Sequence, residues 1–291
     1  MSIVSVAEAT PNRLFIIYAT LLGRSGGETR ERLREQMSPA SLRKGQDKLT
    51  TVFDNSLREA RAIGLVTEED GALIVPPAAR PARRQGEAEA FQSHILRTLY
   101  DDDFADAAGQ RNVALAIAWL LMQDPLRPMP WSENPLPIIS RQLADGDNFD
   151  LGNASRLQTL AYWARHLGFA RLVGAGQVHI VPDPHDAVAR LLPDVYGSDG
   201  ELRSSEFRKR LAALCPVLED GVIRSRVEQQ AREEIVRTQP QRLSRTTSLA
   251  LLRLEASGRI VLEQRSDAEV GILDLGTSER RFSHVVRKVS S

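Results

Sequence analysis

The sequence predicts an α+β, mainly helical protein made of three tandem helix–hairpin units. Three stretches carry the same order of features: a helix with regularly spaced apolar residues, then a glycine, then two short apolar strands joined by a polar turn. They cover residues 57–77, 160–183 and 249–275. Because a helix followed by a two-stranded ribbon forms the C-terminal half of a winged helix, we expect three winged-helix-like units, each a helix-turn-helix plus a β-hairpin.

The first stretch shows the pattern most clearly. Apolar residues recur at three- and four-residue steps over residues 49–63, which predicts a helix with one buried face. Gly64 follows, and glycine can adopt the left-handed conformation that ends a helix. The apolar segments 65–66 and 73–75 flank an Asp-Gly pair at 70–71, which is a strong hairpin signal.

The other two stretches vary this pattern. Gly168 ends the second helix, and glycines supply the turn of its hairpin. Gly258 ends the third helix, and a longer turn separates the predicted strands 260–262 and 272–275. Shorter helices are expected before each unit's main helix, at 11–22 and 28–37, at 89–100 and 111–123, and at 204–215 and 221–238. The alternative is three unrelated helix–hairpin pieces within one α+β fold.

Proline, glycine and charge place the boundaries. We expect a first domain at residues 1–80, a linker at 81–90, a second domain at 91–185 and a third at 186–291. The prolines of residues 124–137 predict an extended loop inside the second domain. Those of residues 182–200 predict a second linker.

Composition narrows the class of protein. The 291 residues are 42% hydrophobic and 26% charged, as in ordinary globular proteins. No apolar run approaches the roughly 18 residues that span a bilayer, so no membrane partner is predicted. The one cysteine, Cys215, precludes an internal disulfide and predicts a buried structural thiol in a cytoplasmic protein.

Charge is balanced overall but not along the chain. The formal net charge is zero, which argues against a protein that coats nucleic acid without specificity. Residues 1–80 have 11 basic and 10 acidic side chains, residues 91–185 have 7 and 10, and residues 186–291 have 18 and 16. We therefore expect the first and third units to contact DNA, and the acidic middle unit to be a spacer or a protein contact.

No motif indicates an enzyme or a bound cofactor. There is no P-loop, dinucleotide fingerprint, nucleophile elbow or paired-cysteine motif. The group His179, Asp183, His185 and Asp186 contains metal-ligand types, but chance clustering explains it more simply than a metal site. We predict no catalytic residue, no metal and no cofactor.

The helix before each hairpin gives the candidate DNA contacts, because in helix-turn-helix proteins this helix enters the major groove. Its outward face is expected to present polar side chains that can reach bases or phosphates. They are Gln46, Lys48, Thr51, Asn55 and Arg58 in the first unit, Asn153, Ser155, Arg156 and Thr159 in the second, and Gln241, Arg242, Ser244, Arg245, Thr246 and Thr247 in the third. The third set is the strongest, and the alternative for every one of them is a solvated helix face.

A second basic group belongs to the third unit. Its members are Arg203, Arg208, Lys209, Arg210, Arg224 and Arg226, with Arg280, Arg281, Arg287 and Lys288 near the end of the chain. Such a group could follow a phosphate backbone. The alternative is an ordinary charged surface, because glutamates interleave with the arginines.

Two segments of the first unit resemble a known family. The opening ATPNRLFIIYATLL (residues 9–22) and the later DNSLREARAIGLVTEEDGALIV (residues 54–75) resemble the DpdG-type accessory proteins. Those proteins belong to bacterial gene clusters that install or police 7-deazaguanine-modified DNA. The resemblance implies a bacterial, DNA-associated role in DNA modification or phage defence, and it implies no catalytic residue.

Two functions remain open at this point. The first is a DNA-binding accessory protein that contacts phosphates and bases of double-stranded DNA through its winged-helix units. The second is a protein–protein adaptor that uses the same units to bind other proteins of the same gene cluster, because a fold does not settle function.

Overall fold

A computed structural model of the chain describes residues 2–39, 41, 48–144, 148–232, 235, 239–266 and 269–288. The chain divides into two compact units, one of residues 1–113 and 158–166 and the other of residues 114–157 and 167–291. In the described part of the chain, no helix combines the length and apolarity needed to cross a membrane.

The described residues form twelve α-helices and ten short strands, so the protein is α+β and mainly helical, as predicted. The helices are α1 (Pro11–Leu22), α2 (Arg30–Met37), α3 (Lys48–Ala62), α4 (Glu87–Tyr100), α5 (Asp102–Ala107), α6 (Arg111–Leu121), α7 (Leu136–Gln142), α8 (Ala154–Leu167), α9 (His185–Tyr196), α10 (Ser204–Leu214), α11 (Val222–Gln230) and α12 (Arg245–Ala256). The strands are β1 (Thr67–Glu69), β2 (Ala72–Ile74), β3 (Met129–Pro130), β4 (Ala170–Val173), β5 (His179–Pro182), β6 (Glu201–Arg203), β7 (Ile260–Glu263), β8 (Gly271–Asp274), β9 (Glu279–Phe282) and β10 (His284–Arg287).

The N-terminal segment runs α1, α2, α3 and then the β1–β2 hairpin. Glu28, just before α2, forms an antiparallel bridge to Leu73 of β2. Its N–H donates to the Leu73 carbonyl at 3.0 Å, and the Leu73 N–H donates back at 2.8 Å. The order is therefore helix, very short strand, two helices and a hairpin, with the first strand beside the last.

The middle segment repeats that order. Strand β3 follows α6, helices α7 and α8 come next, and the β4–β5 hairpin ends the segment. The sheet order is β3-β5-β4, so the short first strand again lies beside the last strand. The predicted proline-rich loop at 124–137 contains β3 and the start of α7.

The C-terminal segment has the same order with two insertions. It runs α9, β6, α10, α12, β7 and β10, and its sheet has the order β6-β10-β7. Helix α11 is inserted before α12, and the separate β8–β9 hairpin is inserted between β7 and β10. The three hairpin regions lie in separate sheets rather than in one continuous sheet.

The glycine that ends each main helix has the predicted left-handed backbone. The φ angles are +69° at Gly64, +85° at Gly168 and +70° at Gly258. Each glycine lets the chain reverse from the helix into the first strand of a hairpin without the steric cost of a Cβ atom.

The strand partner predicted for the third hairpin was wrong. We expected residues 260–262 to pair with 272–275, but β7 pairs with β10, and Val285 lies opposite Leu262. Strand β8 pairs instead with β9, around a turn at Gly276 with φ of +83°. Both later strands alternate in burial, so the alternation alone does not select the partner.

The predicted second linker at 182–200 was also wrong over most of its length, because α9 occupies His185–Tyr196. The Asp183 carboxylate accepts a hydrogen bond from the His185 N–H at 3.0 Å, which satisfies one backbone donor at the start of the helix. Pro193 lies inside the helix and removes one backbone donor. The carbonyl left over, that of Ala189, accepts from the Arg259 guanidinium at 3.2 Å.

Each of the two compact units contains a fully buried tryptophan. In the first unit Trp163 is fully buried, its ring is stacked 6.4 Å from that of Phe91, and its Nε1 donates to the Ala9 carbonyl at 2.9 Å. In the second unit Trp119 is fully buried and donates from Nε1 to Gln142 Oε1 at 2.8 Å. Cys215 is buried, as predicted.

Candidate nucleic-acid interface

Helices α2 and α3 are joined by one carboxylate. Asp54 of α3 accepts from Arg30 at 3.0 Å and from Arg34 at 2.6 Å, both on α2. Partial burial opposes ionisation of this carboxyl, but the hydrogen bonds and charges of the two arginines outweigh it and lower its pKa. Asp54 therefore fixes the geometry of the helix pair rather than presenting a bare charge to a ligand.

The predicted contacts of α3 lie on its solvent side. Thr51 and Arg58 are exposed and Asn55 is half-buried. The Arg58 guanidinium donates to Asn55 Oδ1 and to Glu59 Oε1, both at 3.1 Å. Glu59 itself is 2% exposed. Lys48 begins the helix, but its side chain, like the whole of Gln46, lies outside the described residues.

The hairpin beside α3 carries a concentration of negative charge. Glu68, Glu69 and Asp70 follow one another at its exposed tip. One of them, Glu68, pairs with Arg61 at 3.1 Å. A tip with three carboxylates repels a phosphate backbone, so this hairpin is poorly suited to lie against DNA.

The two arginines expected to be the best contacts in the third segment are held by carboxylates. Arg242 donates to Glu279 at 2.6 Å and lies 3.8 Å from Asp274. Arg245 donates to Asp124 and lies 3.6 Å from Asp274. Both guanidinium groups are therefore part of ion pairs inside the second unit.

The hydroxyls around the start of α12 do not form the outward face that we expected. Ser244 caps the helix, accepting from the Thr247 N–H at 3.3 Å and donating to Glu219 Oε1 at 2.6 Å. Thr246 and Thr247 are 2% and 1% exposed, and Thr246 donates to the Leu121 carbonyl at 2.8 Å. The reason is that the first turn of a helix has N–H groups without a helical partner. Ser244 accepts from one of these groups, and Thr246 and Thr247 are buried.

Part of the other predicted basic group is also paired within the chain. Arg208, Arg210 and Arg224 each form an ion pair with a carboxylate between 2.5 and 2.9 Å away. Arg224 is in addition 1% exposed. The glutamates and aspartates that interleave with these arginines in the sequence are thus their partners in space.

The predicted contacts of α8, the main helix of the middle segment, are divided between its N-terminal cap, its buried side and its exposed side. Asn153 caps it by accepting from the Arg156 N–H at 3.0 Å, and the Arg156 side chain donates to the Asp150 carbonyl at 3.0 Å. Thr159, which we expected on the outward face, is 4% exposed. Ser155, Tyr162 and Arg165 are exposed, and their spacing of seven and three residues places them on one face of the helix.

No carboxylate occurs in this helix or in the hairpin that follows it. Residues 151–182 contain no Asp or Glu, whereas an average stretch of that length would hold about four of the chain's 38. The same stretch contains Arg156, Arg165 and Arg171, which gives it a formal charge of +3. Arg165 forms no ion pair within the described residues, and Arg171 has only a 3.9 Å approach to Asp183.

Sequence reasoning missed Arg165 and Arg171 because it summed charge over whole domains. The acidic residues of the middle domain lie before Leu151 or after Pro182, so the sum over residues 91–185 hides a basic stretch within it. A search for the longest stretch without a carboxylate would have found it.

The metal-like group of the sequence is engaged in other contacts. His185 Nδ1 lies 2.7 Å from Asp186 Oδ1, and Asp183 accepts from Arg253. Among the residues that the structure describes, no three His, Cys, Asp or Glu side chains are grouped so as to hold a metal ion.

Comparison with known proteins gives one match. A family model described as DpdG-like matches residues 1–268, which is most of the chain. No curated protein and no solved structure gave a significant match.

Proposed function

The chain belongs to the DpdG-like family, and from that premise we propose that it is a non-enzymatic accessory protein of a bacterial DNA-modification or defence system that binds double-stranded DNA. The resemblance of residues 9–22 and 54–75 to DpdG-type proteins supports the DNA-modification context. The proposal assigns binding, rather than catalysis, to the chain and needs no cofactor.

In this proposal each of the three repeated segments is a winged helix. The support is the recurring order of helix, short strand, two helices and hairpin, with the first strand paired to the last in all three segments. The main helices α3, α8 and α12 then correspond to the helix that enters the major groove in helix-turn-helix proteins.

The observation that carries the DNA-binding proposal is the carboxylate-free stretch 151–182. It coincides with a main helix and its hairpin, the two parts of a winged helix that meet DNA. A stretch without carboxylates and with exposed arginines adds no repulsion of phosphates and releases counterions on binding. We therefore assign the main DNA contact to this stretch of the chain, and not to the first and third segments as the domain charges suggested.

The experiment is duplex binding by the full chain over a salt series. The variant R165Q/R171Q removes two cations from the stretch, and R24Q/R32Q removes two exposed cations from the first segment as a matched control. The first variant should flatten the slope of log affinity against log salt by about two, because each phosphate contact contributes about 0.9. The control should keep the slope of the unmodified protein.

A protein adaptor is the second candidate. The observation that favours it is the internal pairing of Arg242, Arg245 and the other arginines of the third segment, which leaves fewer cations for a backbone. Absence of duplex binding even at low salt would reject the DNA contact and leave the adaptor. Equal weakening by both variants would reject the assignment of the contact to α8 and its hairpin.

A further inference from the structure

The second unit contains a cavity of about 680 Å³, within the size range of small-ligand sites. It is lined by the end of α6 and the segment after it, by α7, by parts of β3, β5, β8 and α11, and by the start of α12 with the residues before it. Five arginines and three carboxylates line it, so its lining has a formal charge of +2. The arginines are Arg127, Arg141, Arg224, Arg242 and Arg245.

Carboxylates outside the lining hold two of these arginines in place. Arg242 is held by Glu279, and Arg224 donates from Nε to Glu228 at 2.9 Å. A guanidinium has five N–H donors, so the ion pair of Arg242 with Glu279 leaves other donors of Arg242 that can face a ligand. Guanidinium groups held in this way are pre-organised for an anion, because little further ordering is needed when it binds.

Two further arginines are accessible to an entering ligand. Arg127 and Arg141 are exposed on the lining, and Arg127 forms no ion pair with any residue that the structure describes. A phosphate group suits such a pair because arginine forms strong, charge-assisted hydrogen bonds to phosphate oxygens.

Most of the remaining lining is apolar, and Gln123, Gln142 and Ser244 are its uncharged polar members. Met129, Ile138 and Ile180 belong to it, together with several prolines and leucines. A lining that combines apolar residues with arginines matches a ligand with a flat, largely apolar ring system and an anionic group. Nucleotides have this combination.

We propose that this cavity binds a nucleoside phosphate, with the phosphate on Arg127 and Arg141 and the base against the apolar residues of the lining. The site goes beyond the proposed duplex contact, because none of its arginines belongs to α8 or to the β4–β5 hairpin. The same chemistry is offered by a free nucleotide and by the 5′-phosphate end of a DNA strand, so the test has an arm for each.

The test is calorimetric titration of the full chain with guanosine and adenosine monophosphates and with inorganic phosphate. Two oligonucleotides of the same sequence, one with a 5′-phosphate and one with a 5′-hydroxyl, form the second arm. The variant R127Q/R141Q should weaken binding at least about tenfold, as expected for loss of hydrogen bonds to a charged group. R281Q, which changes an exposed arginine outside the lining, should leave it unchanged.

The outcomes separate the alternatives. Saturable nucleotide binding that R127Q/R141Q weakens supports the site, and a preference for the 5′-phosphorylated strand over the free nucleotides identifies a DNA end as its source. Absence of binding in both arms overturns the proposal, as does binding that R281Q weakens equally. Inorganic phosphate bound as tightly as the nucleotides overturns the assignment to nucleotides. Duplex binding through α8 is measured separately with R165Q/R171Q, so either proposal can fail without the other.

Discussion

The Arg245 guanidinium, at the first position of α12, donates a hydrogen bond to the Asp124 carboxylate, which lies shortly after α6. That hydrogen bond raises the pKa of Arg245 above its ordinary value, against the opposing effect of partial burial. The pair connects two segments that are 121 residues apart in sequence. Arg245, whose type and position suggested a phosphate contact, is therefore part of an ion pair within the fold.

Asp124→Asn tests this pair and the nucleotide site together. The amide keeps the Oδ1 acceptor that receives the Leu126 N–H at 2.9 Å, but it removes the negative charge. We expect the free energy of unfolding to fall by about 1 kcal/mol, as for a partly exposed ion pair. The formal charge of the cavity lining rises by one, so nucleoside monophosphate affinity should increase several-fold. Urea denaturation and calorimetry measure the two effects.

A matched variant separates a general effect of charge from one at the cavity. Asp103→Asn removes an exposed carboxylate of α5, which does not line the cavity. It should leave both quantities close to those of the unmodified protein. Unchanged or weakened nucleotide binding in Asp124→Asn would contradict the placement of the phosphate among these arginines.

Arg259 and Pro193 form a second testable pair. The guanidinium donates to the Ala189 carbonyl, which has no helical donor because Pro193 lacks an N–H. Arg259→Met should lower the free energy of unfolding by about 1 kcal/mol. The loss should shrink in the Pro193→Ala background, where the backbone N–H satisfies the same carbonyl. A double-mutant cycle by urea denaturation measures this coupling, and additive effects of the two substitutions would show that the bond to Ala189 contributes nothing.

The three helix-ending glycines should differ in how poorly they tolerate alanine. A Cβ at Gly258 would meet no described atom within 4 Å, so only the positive φ opposes it and the cost is about 1 kcal/mol. At Gly64 it would lie 3.2 Å from the movable ring of Phe104. At Gly168 it would lie 2.8 Å from the backbone nitrogen of Ala187, which cannot move alone, and we expect a cost of about 2 kcal/mol or more. Thermal unfolding of the three alanine variants should rank Gly168 as most sensitive, and an equal loss at all three would contradict the backbone approach at Gly168.

These glycines also show what the sequence can reveal of the fold. A helix stripe, a glycine and two short strands are local features, and the left-handed backbone at all three positions followed from them. Strand pairing is not local. The partner of β7 is β10, beyond an inserted hairpin, and the choice depends on packing that the pattern of single strands does not encode. Helix α9 was missed for a related reason, because the carbonyl that Pro193 leaves without a helical donor is satisfied by Arg259, which is distant in sequence.

The candidate site was less predictable than the fold. Residue type identified Arg242 and Arg245 as cations near a helix start, but it could not show that Glu279 and Asp124 lie beside them. Ion pairing is set by tertiary distance, and a charge sum over a domain does not resolve it. The absence of carboxylates over residues 151–182 can be seen in the sequence when charge is counted over stretches shorter than a domain.

His94 gives a pH-dependent prediction for the first unit. Burial lowers the pKa of its imidazole below the ordinary value of 6.5, although a hydrogen bond from its Nε2 to the Ile63 carbonyl acts in the opposite direction. Below pH 6.5 the unfolded chain therefore takes up a proton that the folded chain does not. The contribution of neutral His94 to the free energy of unfolding is fully present above pH 6.5. It falls as the pH drops from 6.5 towards the pKa of His94 in the folded chain, by at most about 1.4 kcal/mol per pH unit.

The measurement is urea denaturation at about pH 7.5 and about pH 5.5. His94→Gln keeps a donor for the Ile63 carbonyl but does not titrate, so the variant should lose less stability than the unmodified protein between the two pH values. His179→Gln, which changes an incompletely buried histidine of β5, is the control and should keep the original difference. An unchanged difference in His94→Gln would show that this histidine is not the source.

The last prediction concerns the face of α8 that contains Ser155, Tyr162 and Arg165. Ser155→Glu places one carboxylate in the stretch that has none, close to the N-terminus of the helix. A negative charge there interacts favourably with the helix dipole, so the variant should be as stable as the unmodified protein or slightly more so. The same charge repels phosphate, so duplex affinity should fall, and the fall should be largest at low salt, where screening is weakest.

The opposite signs of the two effects make this prediction specific to a binding surface. A substitution that only disturbed the fold would lower stability and affinity together, whereas here affinity falls while the melting temperature is kept. Ser155→Gln, similar in size to glutamate but uncharged, is the matched control and should bind with nearly the original affinity. If Ser155→Glu and Ser155→Gln bound duplex DNA equally well over the whole salt series, α8 would not face phosphates, and the assignment of the DNA contact to this helix would be rejected.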